Sequence, residues 1–504
     1  MTVATDFPDF ADVQGLLRFG YKRHVEGAFA LLRVRNRAAA RAWLATAPVG
    51  SAETGAPPPV VLQVAFGAEG LRELGVPDAV RAAFAPEFLA GLGTDANRAR
   101  RLGDLGVNDP ARWQWGGPGV EQLPHVLVMV YALPGRLEAC CRELESHWGI
   151  AFELMRWLST TDMGGVEPFG FADGLSQPQI DWAREIPPED HDRLAYGNLS
   201  CLGEFLLGYP NEYGRYTARP LLEPAGAAAH LPRAEDAPDR ADLGRNGSYL
   251  VLRTLKQDVP GFWRYVDAQS GGDAAQRKCL AEAMVGRRMD GQPLLPPADG
   301  PIAGVGVGVG ADAASRAKNG FTFDGDPAGV HCPVGAHIRR ANPRNADLPA
   351  GTSGLVSRAI RMLGFDADVL HADAVASVRF HRVLRRGREY GVRMSMSEAL
   401  SGRAPQVETG LHFMCLCADL ARQFEFVQGA WIAGAKFAAL PHEADPLLGN
   451  RLAAPDEPAT ARFTMPRAGC PSRVLDGMPP FIEVTGGAYF FLPGVRALRW
   501  LATA

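Results

Sequence analysis

The chain has 504 residues, enough for two domains or one elaborated domain, and its 47% hydrophobic and 21% charged content is that of a soluble globular protein. A net charge of −4 supplies no basic footprint for nucleic acid or an anionic membrane, and no window reaches the apolar length of a membrane span. The 57 Gly and 39 Pro imply long irregular connections.

Residues 1–10 lack a basic segment followed by an apolar run, and they lack a twin-Arg signal, so export is not expected and a cytoplasmic location is. Residues 13–35 read as a first strand entering a helix at Arg37–Ala45. Val60–Phe66 is a second apolar run, and Gly70–Leu74 opens a helical segment. His125–Ala132 is apolar on both faces, as a buried strand requires. After Pro134-Gly135, Leu137, Cys140, Cys141, Leu144 and Trp148 recur at helical spacing. This alternation suggests an α+β or α/β half ending near residue 155.

Residues 185–247 look like a long connection wrapped over the core. Asn246–Lys256 reads as a strand, followed by a helix from about Pro260. Gly304–Gly310 imitates a phosphate loop, but no Gly-Lys-Ser/Thr follows, so a flexible loop is expected. Ala376–Leu384 is expected to be a strand ending at Arg385-Arg386-Gly387. Leu411–Cys417 alternates, with Leu411 and Phe413 on one face. A helix through Leu420, Phe424, Val427 and Trp431 has Asp419 as its expected N-cap. Phe481–Val484 and Ala488–Pro493 are two short apolar runs before a last helix ending at Trp500-Leu501. The eight cysteines show no zinc spacing, and reduced, mostly buried thiols are expected.

Two stretches carry chemistry. His331–Arg344 holds two His, one Cys and three Arg among only 11 His in the chain. Small residues Gly335 and Ala336 precede His337, and Arg339, Arg340 and Arg344 follow it. An imidazole beside arginines suits a flat dianionic cofactor such as haem, with iron on the histidine and propionates on the arginines. A satisfied core histidine with solvated arginines fits that stretch equally well. The second stretch, Gly164–Pro178, is a glycine-flanked loop with Asp173 near its centre. An Asp bonding its own turn explains most Asp-Gly pairs.

Gly170-Phe171-Ala172-Asp173-Gly174, His337 in AHIRRANPR and Arg385 in HRVLRRGREYG together resemble the dye-decolorising (DyP-type) haem peroxidases. Further similar segments run in family order from about residue 13 to the end, among them Gly203–Pro210, Arg422–Gln428 and Gly486–Pro493. The resemblance implies an α+β fold of two ferredoxin-like domains, with antiparallel sheets and peripheral helices, as in the dimeric α+β barrel-like superfamily. The first domain would span 1–190 and end in the GxxDG distal loop. The second, 191–504, would bind haem and carry long insertions. His337 and Arg385 stand 48 residues apart, longer than in compact members, with an inserted Ala341–Phe380 segment. Gly387 occupies a position where some relatives place a polar side chain at the peroxide.

The resemblance also implies roles. His337 would ligate the iron of haem b, and Asp173 and Arg385 would be the catalytic pair at the peroxide. Asp445, in a DPLIG-like stretch, is the candidate acceptor for the second nitrogen of His337, with an Asp-Pro turn as the competing explanation. Leu411 and Phe413 would line the distal face, and Arg339 and Arg344 are candidate propionate partners. The expected activity is reduction of hydrogen peroxide with oxidation of dyes, phenols or other organic electron donors by high-valent iron. Hydrogen peroxide and the organic donor are the expected partners, with no nucleic acid or membrane and with a homodimer as one assembly open to the chain. A haem-binding or haem-trafficking protein with incidental peroxidase activity is the alternative, but it has no need for the Asp173 and Arg385 pair.

Overall fold

The computed structural model describes residues 8–53, 55–188, 197–295, 318–346, 377–402, 407–451 and 460–503. One antiparallel sheet organises them. Its strands are β1 (Glu26–Val34), β2 (Val60–Phe66), β3 (Val126–Ala132), β4 (Phe152–Ser159), β5 (Ser248–Gln257), β6 (Leu384–Arg385), β7 (Arg388–Tyr390), β8 (Gly410–Cys417) and β9 (Ile482–Leu492). Their order is β6-β8-β5-β9-β2-β3-β1-β4, with β7 also paired to β8. Each half repeats one pattern: the fourth strand lies beside the first, the first beside the third, and the third beside the second. The halves meet at a single register pair, Phe491 opposite Phe66.

The fold is therefore α+β with antiparallel pairing, as expected. Among the described residues no closed barrel forms. The sheet nevertheless curls, since Thr161 just beyond β4 donates its N–H to the Glu389 carbonyl of β7 at 2.8 Å.

Side-chain alternation explains why the strands bury both faces. On β5, Tyr249, Val251 and Leu255 enter one apolar cluster while Leu250 and Leu252 enter the other. Both clusters draw residues from both halves of the chain. Helices α1 (Arg37–Thr46), α2 (Leu137–Trp148), α3 (Val259–Gln269), α4 (Ala274–Val285) and α6 (Val495–Leu501) accompany the sheet, and α5 (His337–Ala341) carries the histidine. Local chemistry starts them: Asn36, Asp258 and Asp273 each accept a first-turn N–H, and Pro260 sits where its missing donor costs nothing.

Four expectations change. Residues 13–25 are not strand; Gly15–Leu17 forms a 3-10 turn and β1 begins at Glu26. The described part of Ala376–Leu384 is a 3-10 turn over Ser377–His381 and then a two-residue strand. There the His381 ring stacks on Phe426 at 3.7 Å while Arg379 pairs with Glu212, so the side chains radiate instead of alternating. The two runs near the end are one strand, β9, with a register shift between Val484 and Gly486. A Cβ at Gly486 would lie 2.2 Å from the Trp115 indole nitrogen, so that close approach requires glycine. The helix after Asp419 is wound in the π form over Ala421–Glu425 and Val427–Ile432, with Asp419 Oδ1 accepting from Arg422 N as expected of a cap. Gly304–Gly310 lies outside the described residues. All eight cysteines are free thiols, four of them buried.

Candidate active site

His337 opens α5, a five-residue helix with no side-chain cap. The small residues before it serve close packing. A Cβ on Gly335 would meet the Glu443 carboxylate at 3.0 Å, and Ala336 is fully buried against Gly286 at the end of α4. Asp326 shapes the loop upstream by accepting N–H bonds from Val330, His331 and Cys332.

Asp445 answers both explanations offered for it. Its Oδ1 accepts from Leu447 N at 2.9 Å and Leu448 N at 2.8 Å, which is the Asp-Pro turn. Its Oδ2 lies 2.8 Å from His337 Nδ1. The carboxylate has no exposed surface. Burial by itself would push its pKa up, but His337, Leu448 N–H and Arg340 outweigh burial and hold it below the ordinary value. Burial works against a charged His337 too, yet Asp445 leaves the imidazole raised, with Arg385 opposing. Arg451 braces the same turn, donating to the carbonyls of Asp445 and Pro446.

Arg385, on β6, comes within 3.9 Å of Asp173. Both side chains keep more than a third of their surface. The Asp173 loop also holds the arginine itself: Ser176 O accepts from Arg385 Nη2 at 2.9 Å, and Gln177 Oε1 accepts from Arg385 N at 3.0 Å. Leu411 and Phe413 share one half-buried face of β8, packed against the larger apolar cluster. Phe413 lines a small cavity with Phe424 and with Leu448 of the Asp445 turn.

The two candidate propionate arginines are both buried near α5. Arg339 is buried and bonds the carbonyls of Cys332 and Asp326. Arg344 is buried and donates to Asn319 O and Phe321 O, with its guanidinium 3.8 Å from the Phe321 ring centre. Both brace the loops around α5 through these bonds. Sequence reasoning also passed over Ser176, Gln177, Glu167 and Arg451. Ser176 and Gln177 fall within Gly164–Pro178, but only their contact with Arg385 marks them.

The residues fit the haem that the resemblance implies. Nδ1 of His337 is engaged, Nε2 has no hydrogen-bond partner among the described residues, and a quarter of the side chain is open. No three His, Cys, Asp or Glu converge on a metal position among the described residues.

No family model matches the chain. Curated relatives do. The dye-decolorizing peroxidase AauDyP1 of Auricularia auricula-judae is 27% identical over 513 residues, covering 97% of this chain and 86% of the relative. The multifunctional dye peroxidase DyP2 of an Amycolatopsis species is 28% identical over 462 residues, covering 87% and 82%. A crystal structure of a fungal DyP-type peroxidase from Auricularia auricula-judae shares the fold at a TM-score of 0.71 and 24% identity, covering 99% of each chain. Over most of its length the chain is similar to dye-decolorizing peroxidases, and its fold is theirs.

Proposed function

We propose that the chain is a haem b-dependent peroxidase that reduces hydrogen peroxide and oxidises dyes, phenols or similar organic donors. The observation that carries this reading is the approach of Asp173 to Arg385 from distant parts of the chain, with Arg385 itself within electrostatic reach of a carboxylate-paired histidine. His337 would hold the iron and Asp445 would fix its tautomer. Haem supplies the two-electron chemistry that splits peroxide.

The protein's own work is proton handling and charge. Asp173 carries a proton between the two peroxide oxygens, a task for which a positioned side chain contributes roughly two to four orders of magnitude. Arg385 places a permanent cation where negative charge develops as the O–O bond breaks, worth about two to three orders. Ser176 and Gln177 aim that cation through the contacts described. Leu411 and Phe413 keep the distal side apolar. A ligand-carrying protein would need none of this pairing, which disfavours the trafficking alternative.

We also read the chain as two ferredoxin-like units, 1–190 and 191–504, because each half repeats the same strand order. No helix among the described residues is long and apolar enough to cross a membrane. Eight free thiols, with Cys279 and Cys470 exposed, suit a reducing, cytoplasmic setting. The test is peroxide-driven oxidation of a phenolic donor by the haem-loaded chain. Loss of that activity in both Asp173→Asn and Arg385→Leu supports the proposal, and undiminished turnover in both contradicts it.

A further inference from the structure

We propose that Glu167 is a positioning residue for the peroxide chemistry: its carboxylate straps the Asp173 loop to the main sheet and so sets where Asp173 stands against Arg385. The inference rests on the peroxidase reading and extends it to an acid outside the recognised motif.

Glu167 Oε1 accepts from Phe171 N at 3.1 Å, and its Oε2 accepts from Phe169 N at 3.1 Å and from Gln257 Nε2 at 2.9 Å. Glu167 N donates to Phe171 O, and Gly170 N to Glu167 O, so residues 167–171 close on themselves. Gly170 has φ +96°, which lets the loop N–H groups converge on one carboxylate. Phe169 and Phe171 are buried in an apolar cluster with Phe262 and Met284. Gln257 is the last residue of β5, and its own N–H is held by Thr409 O just before β8. One carboxylate thus joins the turn two residues from Phe171, where Asp173 sits, to the strands that carry the distal face.

The Asp173–Arg385 contact cannot supply this fixation. It spans 3.9 Å between side chains more than a third exposed, and such pairs contribute little. Among the described residues, Asp173 on its own loop and His337 on α5 lie within electrostatic reach of Glu167. Burial pushes the Glu167 carboxyl up to about 7 against the Phe169, Gln257 and Phe171 bonds, and Asp173 adds to the rise. Protonation removes acceptor capacity, so the strap loosens as pH falls through that value.

The test compares wild type, Glu167→Gln and Gln257→Met in the haem-loaded chain. Glu167→Gln keeps the shape but turns an amide NH2 toward a donor, and Gln257→Met cuts only the sheet side. Both should retain the Soret band and ferric spectrum and show faster amide exchange confined to residues 164–175. The reaction with peroxide should slow by roughly ten- to a hundredfold in Glu167→Gln. The wild-type rate should also carry a pH limb at about 7 that Glu167→Gln removes. Unchanged exchange in the loop overturns the strap, and faster exchange with an unchanged peroxide rate and pH profile overturns its positioning role. A wild-type chain inert to peroxide defeats the peroxidase reading instead, while the exchange comparison still judges the strap.

Discussion

Replacing Asp445 by Asn removes one charge and changes which atoms can accept. The aspartate uses both oxygens at once, one toward His337 Nδ1 and one toward two backbone N–H groups. Asparagine has a single acceptor oxygen. If that oxygen stays with Leu447 and Leu448, the NH2 faces Nδ1, which must then accept, and the ring proton moves to Nε2, the nitrogen an iron needs. If the amide turns the other way, two buried N–H groups face a donor and the turn loosens. Either way the imidazole loses its anionic partner. Loss of an outer partner of this kind typically lowers metal affinity by about 10- to 100-fold, or roughly 1.4–2.7 kcal/mol. A donor weakened by that much stabilises the ferric state less, so the Fe(III)/Fe(II) potential should rise, by about 60–120 mV for a one-electron couple. Spectroelectrochemical titration of the haem-loaded variant and wild type measures the shift directly, and a haem titration measures the affinity. An unchanged potential together with unchanged haem affinity would refute the reasoning and leave Asp445 as a turn residue only.

Three further outcomes are expected. His337→Ala should lose most bound haem and its Soret band, and full loading with an unaltered ferric spectrum would remove His337 as the ligand. In stopped-flow measurements Asp173→Asn should slow the peroxide reaction by roughly two to four orders of magnitude and Arg385→Leu by about two to three. If Asp173→Asn reacts at the wild-type rate, the proton travels by another route. Burial pushes Glu204 up to about 7 despite Arg422. Between its ordinary value of 4.5 and about 7, the folded chain therefore holds a proton that the unfolded chain releases. Stability should fall as pH rises through that window and level off above it. Glu204→Gln should flatten the slope in denaturant midpoints, and a slope identical to wild type would exclude Glu204 as its source.

The legible part of this protein lay in patterns that depend on near neighbours. The apolar run of β3 and the alternation of β8 are local in that sense, and both became strands. The Asp445 carboxylate could be nominated, but its double use could not, because the second oxygen answers a histidine more than a hundred positions earlier. Residues 377–384 have a strand's composition, yet stacking on Phe426 and pairing with Glu212 turn most of them into a 3-10 turn. Arg339 and Arg344 were expected to meet an anion because three arginines follow a histidine. Each also lies over a buried ring, Phe323 or Phe321, and bonds loop carbonyls, contacts that no spacing in the sequence encodes. Nor did any pattern announce that β9 would join β2 and run one sheet through both halves, since that junction rests on one residue pair. Glu167 left a faint signal, an acid followed by Pro and Gly within a loop whose N–H groups need an acceptor.

The most direct measurement is the absorption spectrum of the purified chain loaded with haem b, before and after stoichiometric hydrogen peroxide. A peroxidase of this design shows a Soret band that peroxide shifts within seconds and that a phenolic donor restores. A chain that takes up no haem, or whose Soret band peroxide leaves unmoved, would contradict the assignment of His337, Asp173 and Arg385 to a peroxide-splitting site.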